Sequence, residues 1–221
     1  EITKRDTPAV ILHSGGTTGT PKGIVLSNGN FNAAAGQVQT VLKDITPDDS
    51  VLAIMPIFHG FGLSVSINDV LSFGAKVVLV PTFKASEFDK LLTKYKPSVL
   101  VGVPTLFEAL TTNERMKDVN LSHLKYVVSG GDTLNKSRIK KVNEFLHEHG
   151  ANVNVLQGYG MTEAVAAVCL DQQVASRPGT IGIPFPGNYI KIVKPGTDEE
   201  VGIDEDGELC ICGPTVMLGY Y

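Results

Sequence analysis

The chain has 221 residues, 43% of them hydrophobic, enough for one large domain with a buried core. A formal net charge of -4 supplies no basic field for a polyanion, which argues against nucleic acid or an anionic membrane surface as a main partner and leaves small molecules. Cys169, Cys210 and Cys212 form no CxxC pair, and their odd number does not suit a secreted disulfide framework, so a reducing, cytoplasmic setting is expected.

In chain order, short apolar runs rich in β-branched residues predict strands at 9–13, 51–55, 76–80, 98–103, 125–129 and 152–156. Their continuous apolarity predicts cover on both faces. Helical periodicity falls between them, over Phe31 to Lys43, Leu63 to Phe73, Ser86 to Tyr95, Thr105 to Asn113 and Asn135 to His147, with Ser, Thr or Asn caps opening several. Alternation of this kind predicts an α/β fold built on a largely parallel sheet flanked by helices. After Asp171 the helical period stops and turn signals crowd in at Arg177-Pro178-Gly179, Pro186-Gly187, Pro195-Gly196 and Asp206-Gly207. The expected division is an α/β part over 1–170 and a smaller β-rich, distorted barrel-like part over 171–221, with strands at Tyr189 to Val193 and Glu208 to Cys212. No apolar run approaches the roughly 18 residues of a membrane helix. Ala9 to Leu12 reads as a buried strand, and the chain ends at GPTVMLGYY without a polar tail, so an excised fragment is expected.

The most specific local feature is Ser14-Gly15-Gly16-Thr17-Thr18-Gly19-Thr20-Pro21-Lys22-Gly23. Three glycines in five positions allow backbone N–H groups to converge on an anion, and Ser14, Thr17, Thr18 and Thr20 add hydroxyl donors. Lys22 supplies a point charge for a β or γ phosphate. The segment is not the common P-loop, which needs Gly-Lys followed by Ser or Thr at a helix start; here Pro21 precedes Lys22 and a strand follows. A flexible hairpin loop would use the same residue types, but ten in this order are far more specific than a lone GxGxxG.

This segment is similar to the signature loop of the adenylate-forming, AMP-binding superfamily, which contains acyl-CoA synthetases, firefly-type luciferases and the adenylation domains of nonribosomal peptide synthetases. Gly15 is a mild departure from its pattern, of little consequence for a loop that binds through backbone amides. Further motifs follow in order. Pro56-Ile57-Phe58-His59-Gly60-Phe61-Gly62 resembles the acyl-pocket segment, and Ser129-Gly130-Gly131-Asp132 resembles the glycine turn between adenine and acyl group. Gln157-Gly158-Tyr159-Gly160-Met161-Thr162-Glu163 matches the adenosine and magnesium motif, and Gly207-Glu208-Leu209 with Gly213-Pro214 matches the next stretch. Three of these motifs leave the C-terminal ends of predicted parallel strands, where open α/β sheets bind ligands.

The resemblance implies that the chain is part of the large N-terminal domain of an acid–CoA ligase, whose mobile C-terminal domain lies outside this sequence and without which this piece catalyses little. It implies ATP, AMP, Mg2+ and coenzyme A as ligands. In that reading Lys22 and the loop amides hold pyrophosphate, Thr162 touches the α-phosphate, Glu163 is the magnesium carboxylate, and Tyr159 lies against adenine. Gln157, Gly158, Gly160, Gly131 and Asp132 complete the nucleotide site, although Asp132 stands where many relatives carry a small apolar residue. His59 gates an acid pocket that also takes in Phe61, Gly62, Gly130 and Gly131. Amino-acid adenylation domains usually place an aspartate soon after the pocket aromatic; here no acid occurs until Asp69, so a fatty, aryl or other uncharged-tail acid is the expected substrate. The alternatives are an amino-acid adenylation domain, a luciferase-like relative, and a non-catalytic nucleotide-binding module.

Four features are set aside. His147-Glu148-His149 lacks the i, i+4 spacing of a zinc-protease helix, and the acidic turns at Asp198 to Glu200 and Asp204 to Asp206 lack calcium-loop spacing. Cys210 and Cys212 are expected to be small core residues. Arg138, Lys140 and Lys141 ride a solvated helix face.

Overall fold

The structure, a computed structural model, describes residues 4–14 and 21–221. The predicted phosphate loop from Gly15 to Thr20 lies outside the described residues, as does the Ser14 side chain.

Strand β1 (Pro8–Ser14) pairs antiparallel with β2 (Lys22–Ser27), with Ser14 opposite Lys22. Helix α1 (Asn28–Val41) starts earlier than its apolar period suggests, because Ser27 and Asn30 form a reciprocal cap. The Ser27 hydroxyl accepts the Asn30 N–H at 3.1 Å, and Asn30 Oδ1 accepts the Ser27 N–H at 2.8 Å.

The main sheet contains β3 (Ser50–Ala53), β4 (Lys76–Leu79), β5 (Val99–Gly102), β6 (Tyr126–Ser129), β7 (Val155–Gly160), β8 (Ala167–Leu170) and β9 (Ile183–Pro184). Its order is β4-β3-β5-β6-β7-β8-β9; the first five run parallel, and β8 and β9 add antiparallel. Side chains alternate between two cores, as the strand period of two requires. Leu52, Leu100 and Val127 pack on one face with α3 (Phe88–Tyr95), α4 (Pro104–Thr112) and α5 (Lys136–Glu148). Val51, Val99, Val101 and Val128 pack on the other with Val38 and Leu42 from α1 and its C-cap, and with Val70 of the short α2 (Asp69–Ser72). This two-sided cover explains why these strands read as continuous apolar runs.

Several expectations need correction. β1 lies outside the parallel sheet and buries only Leu12 of its outer run, because its partner is the next strand in a hairpin and apolar composition carries no pairing direction. β7 begins at Val155, not Asn152, and runs to Gly160, so most of the Gln157 motif is strand. The helix expected from Leu63 is a π-helix over Phe61–Asn68 that tightens into α2. The two tail strands fall where expected, as the antiparallel pair β10 (Tyr189–Val193) and β11 (Glu208–Cys212), but Cys212 is exposed and Cys210 only half-buried, so neither is a core residue. Ile190 and Ile211 of this ribbon pack against Val168 and Cys169, while the remaining side chains are at best partly buried except Val193. The acidic turn between them is answered by the ion pairs Lys191–Asp198 and Lys194–Glu199.

The tail returns to the body through polar contacts. Asn30 Nδ2 donates to the carbonyls of Pro214 and Val216 at 2.8 and 2.9 Å, and buried Gln37 donates to Asn188 Oδ1 at 2.9 Å. The final strand, β12 (Gly219–Tyr220), pairs with β2. No helix among the described residues is long and apolar enough to cross a membrane.

One ionic contact pins the N-terminal edge of the main sheet. Asp49, just before β3, accepts from Lys125 Nζ at 2.8 Å, while the Lys125 and Tyr126 N–H groups bond the Ser98 carbonyl. Burial would raise the Asp49 carboxyl, but Lys125, Ser98 and Thr46 donate to it and bring it down to about 2. A carboxyl lowered by folding stabilises above its unfolded pKa and loses that contribution as pH falls through the folded one. Between pH 5 and pH 2 the native chain should therefore lose about 2 kcal/mol more stability than Asp49→Asn in urea titrations, the size expected of a shift of nearly two units.

Candidate active site

Parallel strands end on one edge of their sheet, so the segments after β3, β6 and β7 come together. After β3 the chain passes Pro56 to Gly60 and enters the π-helix. A Cβ on Gly60 would lie 2.1 Å from the Val165 carbonyl oxygen, and one on Gly62 would lie 2.1 Å from that of Pro56. Both glycines are required by backbone contact. His59 is exposed at this bend, and its Nδ1 accepts the Phe61 N–H at 3.1 Å. In the neutral ring the proton therefore sits on Nε2, leaving that nitrogen as a donor.

After β6, the Gly130 N–H bonds the Gly102 carbonyl at 3.0 Å, and Gly131 takes φ +78, a left-handed conformation that suits glycine. Asp132 Oδ1 accepts the Thr133 N–H at 2.7 Å, holding the turn that leads to the Asn135 cap of α5. Asp132 is exposed and outside the cavity wall described below.

After β7, Met161 leads into a 3-10 turn over Thr162–Ala164. Val165 then takes φ 67 and ψ -64 and is fully buried, with the Ala166 N–H bonded to the Ala164 carbonyl at 2.9 Å. This is the strained, positive-φ form of the γ-turn, held by a β-branched residue. The strain aims the Val165 carbonyl at Gly60, locking the ends of β3 and β7 together.

The three ends line one cavity of about 200 Å³. His59, Phe61, Gly130, Gly131, Gly158, Tyr159, Gly160 and Thr162 share its wall, which continues along apolar residues of the main sheet, α1 and α2. Gln157, Gly62, Lys22 and Glu163 are not in that wall. Gln157 is buried, and its Oε1 has no hydrogen-bond partner among the described residues. Cys169 lines the cavity, and burial pushes its thiol up to about 11, which keeps it protonated and unreactive.

Lys22 and Glu163 meet through Tyr220. The Tyr220 hydroxyl donates to Glu163 Oε1 at 3.2 Å, and Lys22 Nζ lies 4.8 Å from the centroid of the Tyr220 ring. Burial and then the Glu163 carboxylate raise the Tyr220 phenol. Sequence reasoning missed Tyr220, because nothing in GPTVMLGYY marks it and 57 residues separate it from Glu163. It reached Asp69 only as the first acid beyond the pocket motif and gave it no place in the pocket. Asp69 lines the cavity at 2% exposure, and burial pushes its carboxyl up to about 6 against the opposing hydrogen bonds from Asn68 and Ser64.

Among the described residues, no group of three or more His, Cys, Asp or Glu side chains is placed to hold a metal. A lone carboxylate such as Glu163 fits a hard cation that arrives with nucleotide oxygens, as Mg2+ commonly does.

Comparison with known proteins places these features in context. The AMP-binding enzyme family matches residues 1–221. A long-chain-fatty-acid–CoA ligase of Haemophilus influenzae is 36% identical over 229 residues, covering 100% of this chain and 39% of that protein. A luciferin 4-monooxygenase of Nipponoluciola cruciata is 31% identical, covering 100% of this chain and 40% of its own. The crystal structure of ATP-bound MatB from Rhodopseudomonas palustris superposes with a TM-score of 0.88 at 28% identity, over 99% of this chain and 42% of that one. The chain thus spans about two fifths of the length of the relatives it matches.

The contact between Gly60 and Val165 gives a paired test. Gly60→Ala should destabilise by about 1–3 kcal/mol, since backbone must move. Gly36→Ala, inside α1 with nothing within 4 Å of the added methyl, should stabilise by about 1 kcal/mol. Opposite shifts in thermal midpoint are the expected outcome.

Proposed function

Because the chain belongs to the AMP-binding enzyme family, we propose that the protein containing it activates a carboxylic acid with ATP and transfers the acyl group to coenzyme A. The observation that carries this reading is the shared cavity: a glycine turn, an aromatic ring and a histidine donor at the strand ends, continuous with an apolar pocket.

A carboxylate is a poor electrophile because its leaving group would be oxide. In the proposed first step a carboxylate oxygen of the acid attacks the α-phosphorus of ATP, the bond from that phosphorus to the bridging oxygen breaks, and pyrophosphate leaves with the electron pair. The products are acyl-AMP and pyrophosphate. In the second step the sulfur of coenzyme A attacks the acyl carbon, its proton is released, and AMP departs. No protein nucleophile is needed; positioning and charge neutralisation supply the catalysis.

In this reading Tyr159 packs on adenine beside Gly130 and Gly131, and Thr162 donates its hydroxyl to the α-phosphate. His59 Nε2–H faces the acid carboxylate and gates the pocket formed with Phe61. Lys22 and the loop from Ser14 to Thr20 neutralise the departing pyrophosphate. Glu163 would hold Mg2+, which when bound supplies further positive charge at the phosphates. The near approach of Lys22 and Glu163 to Tyr220 supports their action at one place. Asp132 borders the nucleotide site from the same glycine turn, with its Oδ1 bonded to the Thr133 N–H. The division into 1–170 and 171–221, and a mobile domain supplied by the rest of the protein, belong to the same proposal, as does low activity of this segment alone.

The test is acid-dependent exchange of pyrophosphate into ATP by the full-length protein. Lys22→Ala should lower exchange by about 10- to 100-fold, the equivalent of one charge-assisted hydrogen bond, and Lys22→Ala with Glu163→Gln should lower it further. Wild-type exchange that no acid stimulates, or a double variant as active as wild type, would contradict the reading.

A further inference from the structure

Two carboxyls, Asp49 and Asp69, stand in the cavity wall, whose other polar side chains are Ser50, His59, Tyr159, Thr162 and Cys169. Asp49 is already answered, because Lys125 and Thr46 donate to its Oδ2. Among the described residues no cation pairs with Asp69. Its Oδ1 accepts the Ser64 hydroxyl at 3.0 Å and Asn68 Nδ2 at 3.2 Å, whereas Oδ2 receives no hydrogen bond among the described residues.

Holding a carboxylate at 2% exposure with one oxygen unmatched costs free energy, since a buried charged group needs partners. Fastening the helix does not require it. An asparagine amide would offer the same Oδ1 acceptor to Ser64 and Asn68 without an ionisable group. The second oxygen is therefore surplus to the fold, and Asp69 lines the proposed acid pocket. The π-helix that Asp69 caps is a form frequent at functional sites. Its wide turn lets the Asp69 N–H reach the Ser64 carbonyl, five residues back, and sets the carboxyl beside the Ser64 side chain.

We infer that Asp69 reads the far end of the substrate: the pocket takes a carboxylic acid whose tail carries a hydrogen-bond donor, a hydroxyl or an amine, which binds Asp69 Oδ2. This rests on the acid-activating reading above and narrows its carboxylic acid to one with a donor-bearing tail, in place of the uncharged tail expected from the sequence. The acid's carboxylate lies at His59 and Thr162, and its carbon chain runs along the apolar wall toward α2. Asp69 follows directly on the π-helix that begins at Phe61, so the length of that helix separates it from His59 and a carbon chain must bridge the two.

The experiment compares matched acids on full-length protein: plain fatty acids from hexanoate to dodecanoate, their ω-hydroxy and ω-amino counterparts, and methoxy-terminated analogues that can only accept. Binding is read by calorimetry and adenylation by pyrophosphate exchange. Wild type should prefer a donor-bearing acid over the plain acid of equal length by about tenfold or more, and the hydroxy and amino arms identify which donor. Asp69→Asn keeps the Oδ1 acceptor and turns the other position into a donor. That preference should then collapse, while the methoxy analogue gains relative to the plain acid. A wild type with no preference at any length, or a variant that weakens both members of every pair equally, would overturn the inference and leave Asp69 a structural residue. Donor-selective binding without exchange would uphold it and count against the ligase reading alone.

Discussion

Parallel strands joined by crossover helices all present their C-terminal ends at one edge of the sheet, and every candidate group in the cavity depends on that constraint. The chain from 56 to 62, the turn from 129 to 132 and the motif from 157 to 163 are far apart in sequence. They become neighbours because β3, β5, β6 and β7 lie side by side in one direction. Burial of both sheet faces holds that arrangement, and the Asp49–Lys125 contact ties the opposite edge.

Closing the edge into a cavity requires backbone to approach backbone. Gly60 and Gly62 allow it by lacking Cβ atoms, and Val165 completes it in a conformation that its branched side chain disfavours. Strain at this position persists because Val165 is wholly enclosed by Leu12, Ile24 and neighbouring side chains of the small antiparallel sheet. The same sheet carries Lys22 on β2 and Tyr220 on β12, so the packing that fixes the strained turn also sets Lys22 near Glu163. Lys22, Glu163 and the cavity wall are thus referred to one junction.

Much of this was legible in the sequence. The β-branched runs located the strands because two-sided burial demands apolar side chains in both directions, and the ordered glycine motifs pointed to the strand ends and to the family. Three things were not legible. The direction of β1 was hidden because a hairpin strand and a parallel strand can share one composition. The π-helix was hidden because Phe61 to Asn68 satisfies an apolar helical period whichever hydrogen-bond register it adopts. Tyr220 and Asp69 were hidden because their importance comes from long-range placement: an edge strand delivers one to Glu163, and a wide helical turn delivers the other to the cavity wall.

The central claim is that one crevice at the strand ends takes both nucleotide and acid. A crystal structure of the full-length protein with a non-hydrolysable acyl-adenylate mimic tests it most directly. The account predicts adenine between the Gly130–Gly131 turn and Tyr159, with the acyl tail inside the cavity bounded by Phe61 and Asp69. Adenine bound away from those residues, or an acyl tail lying outside that cavity, would contradict it.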